Sequence, residues 1–319
     1  MVTSHPHTPP IVVNHVMSSG VQSSIFTDLI KHFKKYSPND VAHVVSERRT
    51  ENASVYHYHR PNLEKIIAPN SIVTVHHDLE DSDPSLEFSA FSHAYRAASK
   101  VVCLCSTQKK WLSARGYSNV AIIPHGAQER FYKVQRPLHQ PNKVTLGLAS
   151  RRYGRRVKGE ALLSEISKRL SPDELAFFLI GRGRLRDAAD LNELGYEVIV
   201  HEHLPYRLFP QFYRAIDGLL VLSWYEGGPA CIPEAVASGT PLLCTAVGMA
   251  VDCLTPDFNG VLLTRDPDLD AAAIQRFVSD VGFRTRLREN AESMKDSAMT
   301  WRSVVEQYVS LYRQVAKVA

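Results

Sequence analysis

The chain has no apolar run approaching the roughly 18 uninterrupted residues that a membrane-spanning helix needs. Its opening, MVTSHPHTPPIVVNHVM, has no basic segment leading into a long apolar one. A cytoplasmic location is therefore the expectation. Cysteine is sparse. The five residues, at 103, 105, 231, 244 and 253, form an odd set without a CxxC pair and fall in apolar or near-apolar segments, which excludes a disulfide framework and predicts reduced core thiols. Low-complexity tracts are missing, and a composition 44% hydrophobic and 22% charged is that of a folded chain. Net charge is only +4, too little to suggest a nucleic-acid partner. The excess is nevertheless uneven: through residue 140, Lys and Arg outnumber Asp and Glu by 15 to 11, and the remainder balances at 22 against 22. The first half is thus the better candidate for meeting an anionic acceptor, or the inner face of a membrane in peripheral contact.

What is present is the rhythm of two α/β domains, and 319 residues are enough for each to bury its own core. The first half alternates β-branched runs (IVVNHV, VAHVV, SIVTVHH, VVCLC, VAIIPHG) with helical patterns near 21–36 and 86–99. PLHQPN at 137–142 reads as a linker. The second half restarts with VTLGLAS, LAFFLIG, YEVIVHE, GLLVLS, PLLCT and GVLLT, separated by helical stretches, and is helical from Leu269 onward. The last stretch, WRSVVEQYVSLYRQV, is amphipathic. The expected division is 1–136, 143–296 and a terminal helix, 297–319. Two doubly wound lobes would bind their ligand in a cleft between them.

The most informative segment runs from Ser223 to Pro241, SWYEGGPACIPEAVASGTP. It leaves a buried strand, crosses a loop with Gly227 and Gly228, and enters a helix expected to open on Pro233 and Glu234, since proline suits a first helical turn. Pro229, Ala230, Cys231 and Ile232 fill the approach, where free backbone amides favour an anionic group. Glu226 and Glu234 bracket the loop. Carboxylates repel phosphates, so their natural partners are hydroxyls. A ligand both anionic and polyhydroxylated is a nucleotide sugar.

This Glu-x7-Glu pattern, followed by Ala-x-Ala-x-Gly-x-Pro, resembles the donor signature of glycosyltransferase family 4 and its relatives with the GT-B fold. The resemblance implies two Rossmann-like domains facing a cleft, a C-terminal helix returning to the first domain, and retaining transfer of a sugar from a UDP- or GDP-type donor. The acceptor would be a hydroxyl of a glycan, a lipid-linked molecule or a small molecule. It assigns Glu234 to the ribose hydroxyls and Glu226 to the transferred sugar. Arg152 and Lys158, in SRRYGRRVKG, resemble the pair that clamps the donor diphosphate, with Arg151 able to replace Arg152. Two fixed cations stabilise the departing charge, so no metal or other cofactor is expected. Gly181 and Gly183 resemble the turn beside the base. Gly20, in SSGVQ, resembles the loop facing the donor, with Ser19 where a glycine is usual, and His76 or His77 stands where the family places a histidine at the cleft. IIPHGAQERF at 122–131 resembles the exit from the first lobe.

Rival readings point elsewhere. A metal-dependent transferase would use Asp81-Ser82-Asp83, but that triplet lies in a proline-bearing acidic loop and leaves the second lobe unexplained. YHYHR and VHHDLE are rich in histidine, yet neither has helical His-x-x-x-His spacing. A sugar-nucleotide epimerase of the same fold, or a non-catalytic sugar-nucleotide-binding subunit, shares the diphosphate site. The Glu-x7-Glu sequence favours transfer.

Overall fold

The computed structural model describes residues 10–17, 24–135 and 143–317. The chain divides into two compact units, Met1–Pro124 with Trp301–Ala319, and His125–Thr300.

In the first unit, β1 (Ile11–Val16), β2 (Val41–Ser46), β3 (Val55–Tyr58), β4 (Ser71–Thr74), β5 (Lys100–Cys103) and β6 (Val120–Ile122) form a parallel sheet in the order β2-β1-β3-β4-β5-β6. Helices α1 (Ser24–Tyr36), α2 (Phe88–Ala97) and α3 (Ser106–Ser113) connect its strands. The helix expected near 86–99 is α2, which starts at Phe88 because Glu87 before it has ψ 137° and is not helical; a separate 3-10 turn, Pro84–Leu86, capped by Asp83 through Ser85 N–H, precedes it. β3 was not among the expected strands. It is nonetheless central, and all four of its residues are buried.

The second unit repeats the plan. Its strands are β7 (Val144–Ala149), β8 (Leu175–Ile180), β9 (Glu197–His201), β10 (Gly218–Val221), β11 (Leu242–Thr245) and β12 (Gly260–Leu263), in the parallel order β12-β11-β10-β7-β8-β9. The order reverses between β7 and β10. Helices α4 (Glu160–Ser167), α5 (Arg184–Glu193), α6 (Phe209–Ala215), α7 (Cys231–Ala237), α8 (Ala250–Cys253), α9 (Pro267–Ser279) and α10 (Val281–Ser293) complete the unit. Asp266, followed by Pro267, caps α9 by accepting from two backbone N–H groups. One apolar cluster, including Leu146, Leu163, Phe177, Leu243 and Phe277, fills its core.

Residues 125–135, read from sequence as part of the first domain, pack in the second unit: Ala127 bridges Thr300, and Phe131 meets the rings of Tyr206 and Tyr213. The chain then closes with α11 (Trp301–Ala316), which belongs to the first unit. Its apolar stripe puts Tyr308 and Tyr312 against Phe33, and Trp301 stacks on His32 with centroids 4.5 Å apart. Two doubly wound parallel-sheet units with this terminal helix constitute the GT-B architecture.

Candidate functional site

Ligands of open α/β sheets bind beyond the carboxyl ends of the strands, where strand order reverses. In the second unit that place lies between the loop after β7, SRRYGRRVKG, and the loop after β10, LSWYEGGPA. The loops are joined through backbone, with Trp224 N–H donating to Val157 O at 2.9 Å. Gly159 makes this approach possible. Its φ is +80°, and a Cβ there would fall 2.2 Å from the Leu222 carbonyl oxygen, so the loop can lie against the end of β10 only with glycine at this position.

The junction brings Lys158 and Glu226 into an ion pair. Ser223 Oγ donates to the same carboxylate oxygen at 2.8 Å. The two side chains are 13% and 11% exposed, so the pair is shielded without being sealed. Lys158 Nζ also stands 5.3 Å from the Tyr153 ring centroid.

Arg152 belongs to a neighbouring network. It reaches Asp187 Oδ1 at 2.5 Å, while Asp187 Oδ2 accepts from Arg184 at 2.7 Å. Arg184 is wholly buried, and its remaining donors reach the Ser150 carbonyl and hydroxyl, each at 2.8 Å. Gly181 and Gly183 form the turn into α5. At Gly183, φ is +86° and a Cβ would meet Arg152 Cβ at 3.0 Å, while its N–H donates to Glu202 at 2.8 Å. The alternative cation, Arg151, is exposed and stacks over Tyr153 at 4.2 Å.

Glu234 stands apart from this ion pair in its own polar contacts. The structure starts α7 at Cys231 rather than at Pro233, because Ile232 N–H already bonds back to the Pro229 carbonyl. Cys231 and Ile232 therefore open the helix, and Glu234 sits within its first turn. Glu234 is 3% exposed and accepts Tyr206 OH at 2.5 Å and Tyr213 OH at 2.8 Å, one on each oxygen. Burial pushes its carboxyl up to about 7, against the opposing pull of the two tyrosine bonds. Gly227 is buried, and Gly228, Pro229 and Ala230 are half-buried. His125 contacts the Gly228 backbone, and its burial lowers its pKa to about 4.

In the first unit, β4 ends at Thr74, so His76 and His77 lie beyond the strand. They diverge. His76 is half-buried, 3.2 Å from His59 Nδ1 through Nε2 and edge-on to Phe26, whereas His77 is buried against Phe91 with centroids 4.1 Å apart. Burial lowers the His77 pKa to about 4. Asp81 and Asp83 act in the turn: Asp81 accepts Asp83 N–H, and Asp83 accepts both donors of Ser85. Gly20 and its SSGVQ loop lie outside the described residues, as does the 137–142 linker.

Sequence reading did not single out Arg184, Asp187, Tyr206 or Tyr213. Arg184 and Asp187 did carry a signal, an i,i+3 charge pair directly after the Gly-Arg-Gly turn. Nothing local marks the two tyrosines as partners of a carboxylate 28 and 21 residues away.

Residues 135–294 match the family described as glycosyl transferases group 1. An uncharacterised glycosyltransferase of Methanocaldococcus jannaschii is 26% identical over 161 residues, covering 48% of this chain and 41% of that protein. A D-inositol 3-phosphate glycosyltransferase of Xylanimonas cellulosilytica is 29% identical over 170 residues, covering 50% and 40%. The matched stretch is thus well under half of either relative. Among solved structures, sucrose-phosphate synthase of Thermosynechococcus elongatus is similar in fold, with a TM-score of 0.73 at 17% identity over 98% of this chain and 100% of that one. Anabaena HepE in complex with UDP-glucose gives 0.71 at 16% identity over 95% and 99%. The chain belongs to the glycosyl transferases group 1.

Proposed function

We propose that this chain is a retaining glycosyltransferase that moves a sugar from a UDP- or GDP-type nucleotide sugar to a hydroxyl of a glycan, a lipid-linked molecule or a small molecule. The observation that carries this reading is the Lys158–Glu226 pair, set with Arg152 at the order reversal of the second sheet. A lysine ammonium has three donors, so Lys158 can face a phosphate oxygen while still holding Glu226. Glu226 then accepts a hydroxyl of the transferred sugar, and Glu234 meets the ribose hydroxyls once Tyr206 or Tyr213 yields an oxygen. The HepE structure in complex with UDP-glucose supports a donor of this class, and the names of the curated relatives support glycosyl transfer.

In the reaction the bond from the anomeric carbon to the diphosphate breaks, a bond to the acceptor oxygen forms, and the acceptor's proton is released. Charge gathers on the departing diphosphate, where Arg152 and Lys158 offset it. That leaves no task for a divalent metal at the donor. No helix among the described residues is long and apolar enough to cross a membrane. We assign the chain to the cytoplasm, with the basic excess of its first half suited to an acceptor at the inner face of a membrane.

The direct test is a panel of UDP- and GDP-sugars, scored for release of nucleoside diphosphate and, by NMR, for the anomeric configuration of the product. Turnover with retained configuration in the absence of added Mg²⁺ or Mn²⁺ is expected. Inverted product, or an absolute requirement for added metal, overturns the corresponding part of the reading.

A further inference from the structure

The first unit holds a cluster of histidines that the transferase reading does not use as a group. His15 on β1 pairs in register with His57 on β3, and His59 lies two residues further on, so all three point to one side of the sheet. They are 0%, 0% and 1% exposed. Each offers one ring nitrogen to a group of three atoms lying within 4.8 Å of one another. The surroundings engage one nitrogen of every ring. His15 Nε2 is 2.9 Å from His43 Nδ1, His59 Nδ1 is 3.2 Å from His76 Nε2, and His57 Nδ1 is 2.8 Å from Tyr312 OH.

We propose that His15, His57 and His59 form a buried site for a first-row transition-metal ion. The donor set is imidazole alone. It excludes Mg²⁺ and Ca²⁺, which take oxygen ligands, and suits zinc, copper or nickel. Metal-bound histidines characteristically donate their second ring N–H to a neighbour, which sets the tautomer and orients the ring. His43, His76 and Tyr312 are placed to accept those three N–H groups. The inner nitrogens then face the ion: His15 Nδ1 and His59 Nε2, already 3.0 Å apart, and His57 Nε2, now 2.8 Å from the rotatable Thr74 hydroxyl. Zinc–nitrogen bonds of about 2.0–2.1 Å set ligand atoms about 3.3 Å apart in a tetrahedron, so the three nitrogens, within 4.8 Å of one another, draw together on binding. Proton bookkeeping closes as well. Without the ion, one of His15 and His59 carries its N–H on the inner nitrogen; binding shifts that ring to the tautomer with N–H on the outer nitrogen, so every neutral ring keeps one proton and none is lost. Burial lowers the pKa of all three rings, so they stand in the neutral, ligating form. His43 and His76, on the outer side of the three, are half-buried.

The test uses the full chain, stripped with a chelator and titrated with Zn²⁺ against a chromophoric competitor, with Co²⁺ absorption reading coordination geometry. Expected are one tightly bound equivalent, intense visible bands of a tetrahedral site with three nitrogens and one oxygen donor such as water, and a Tm that rises with Zn²⁺ concentration. His59→Gln and His15→Gln abolish all three, and His43→Ala weakens affinity by about 10–100-fold. If the glutamine variants fail to fold by circular dichroism, the wild-type Co²⁺ spectrum decides, since it needs no variant. Absence of stoichiometric binding by the wild type, weak octahedral bands, or undiminished binding by folded His59→Gln overturns the proposal. None of these readouts depends on glycosyl transfer.

Discussion

Lys158 and Glu226 form an ion pair across the two loops that leave β7 and β10, and Ser223 braces the carboxylate from the end of the same strand run. The pair joins residues 68 positions apart at the one place in the second sheet where strand order reverses. In the proposed reaction the lysine is the cation nearest the sugar-binding carboxylate. Lys158→Ala should therefore lower kcat by about 10²-fold, the scale of removing one preorganised charge, as read by nucleoside diphosphate release. An unchanged kcat would remove the lysine from the chemistry.

Asp187 separates stability from catalysis. It is the shared carboxylate of Arg152 and the fully buried Arg184, so Asp187→Asn leaves a buried guanidinium without its anion, at a cost of about 3–5 kcal/mol measurable by urea unfolding. Arg152→Ala leaves the Arg184–Asp187 pair intact. It should cost less stability but reduce turnover. Equal loss of stability in both variants would make Arg152 a structural residue.

Glu234 predicts two pH dependences. Its folded pKa of about 7 lies above the ordinary 4.5, so the folded state binds more protons between those values. Its contribution to stability is fully present below about 4.5 and is lost as pH rises through about 7, by on the order of 3 kcal/mol. Glu234→Gln should flatten that part of the stability profile. In the opposite sense, affinity for a nucleoside diphosphate should fall as pH drops through about 7, because a protonated carboxyl forfeits charge-assisted bonds to ribose hydroxyls. Calorimetry across this range showing constant affinity would remove the ribose assignment.

His125 titrates the other way. Its folded pKa of about 4 lies below the ordinary 6.5, so the unfolded chain binds more protons between them, and stability is lost as pH falls through that window. His125→Asn should reduce the acid sensitivity of the unfolding midpoint. An unaltered profile would show that the ring titrates alike in the folded and unfolded chain.

Gly159→Ala is expected to be costly out of proportion to one methyl group. The left-handed backbone and the 2.2 Å approach to the Leu222 carbonyl leave no space for a Cβ, so the loop must withdraw and carry Lys158 away from Glu226. Stability should fall by more than about 1 kcal/mol, and turnover should fall with it. A crystal structure of the variant retaining the ion pair would contradict this.

The fold was legible because it is written in local periodicity. Buried runs such as VTLGLA, LAFFLI and GLLV cannot be surface segments, and their alternation with helical stretches dictates a parallel sheet. β3 is not legible in the same way because VYHY mixes tyrosine and histidine, whose polarity is offset only by partners from distant elements. The start of α7 was displaced for a similar reason: Pro233 marks a permissible first turn, but the Pro229–Ile232 backbone bond decides where the turn begins.

By itself the sequence determined two doubly wound domains, a basic loop after one strand, and two carboxylates around a glycine pair after another. These follow from residue type and short-range spacing, the terms a local reading can evaluate. Tertiary structure alone decided what each charged or polar group meets. It placed Lys158 on Glu226, Arg152 on Asp187 and Glu234 between two tyrosines, and it gathered histidines from separate strands beneath Tyr312, 255 residues from His57. The physical reason is that hydrogen bonds and ion pairs act over a few ångströms, while the residues they join are brought together only by strand order.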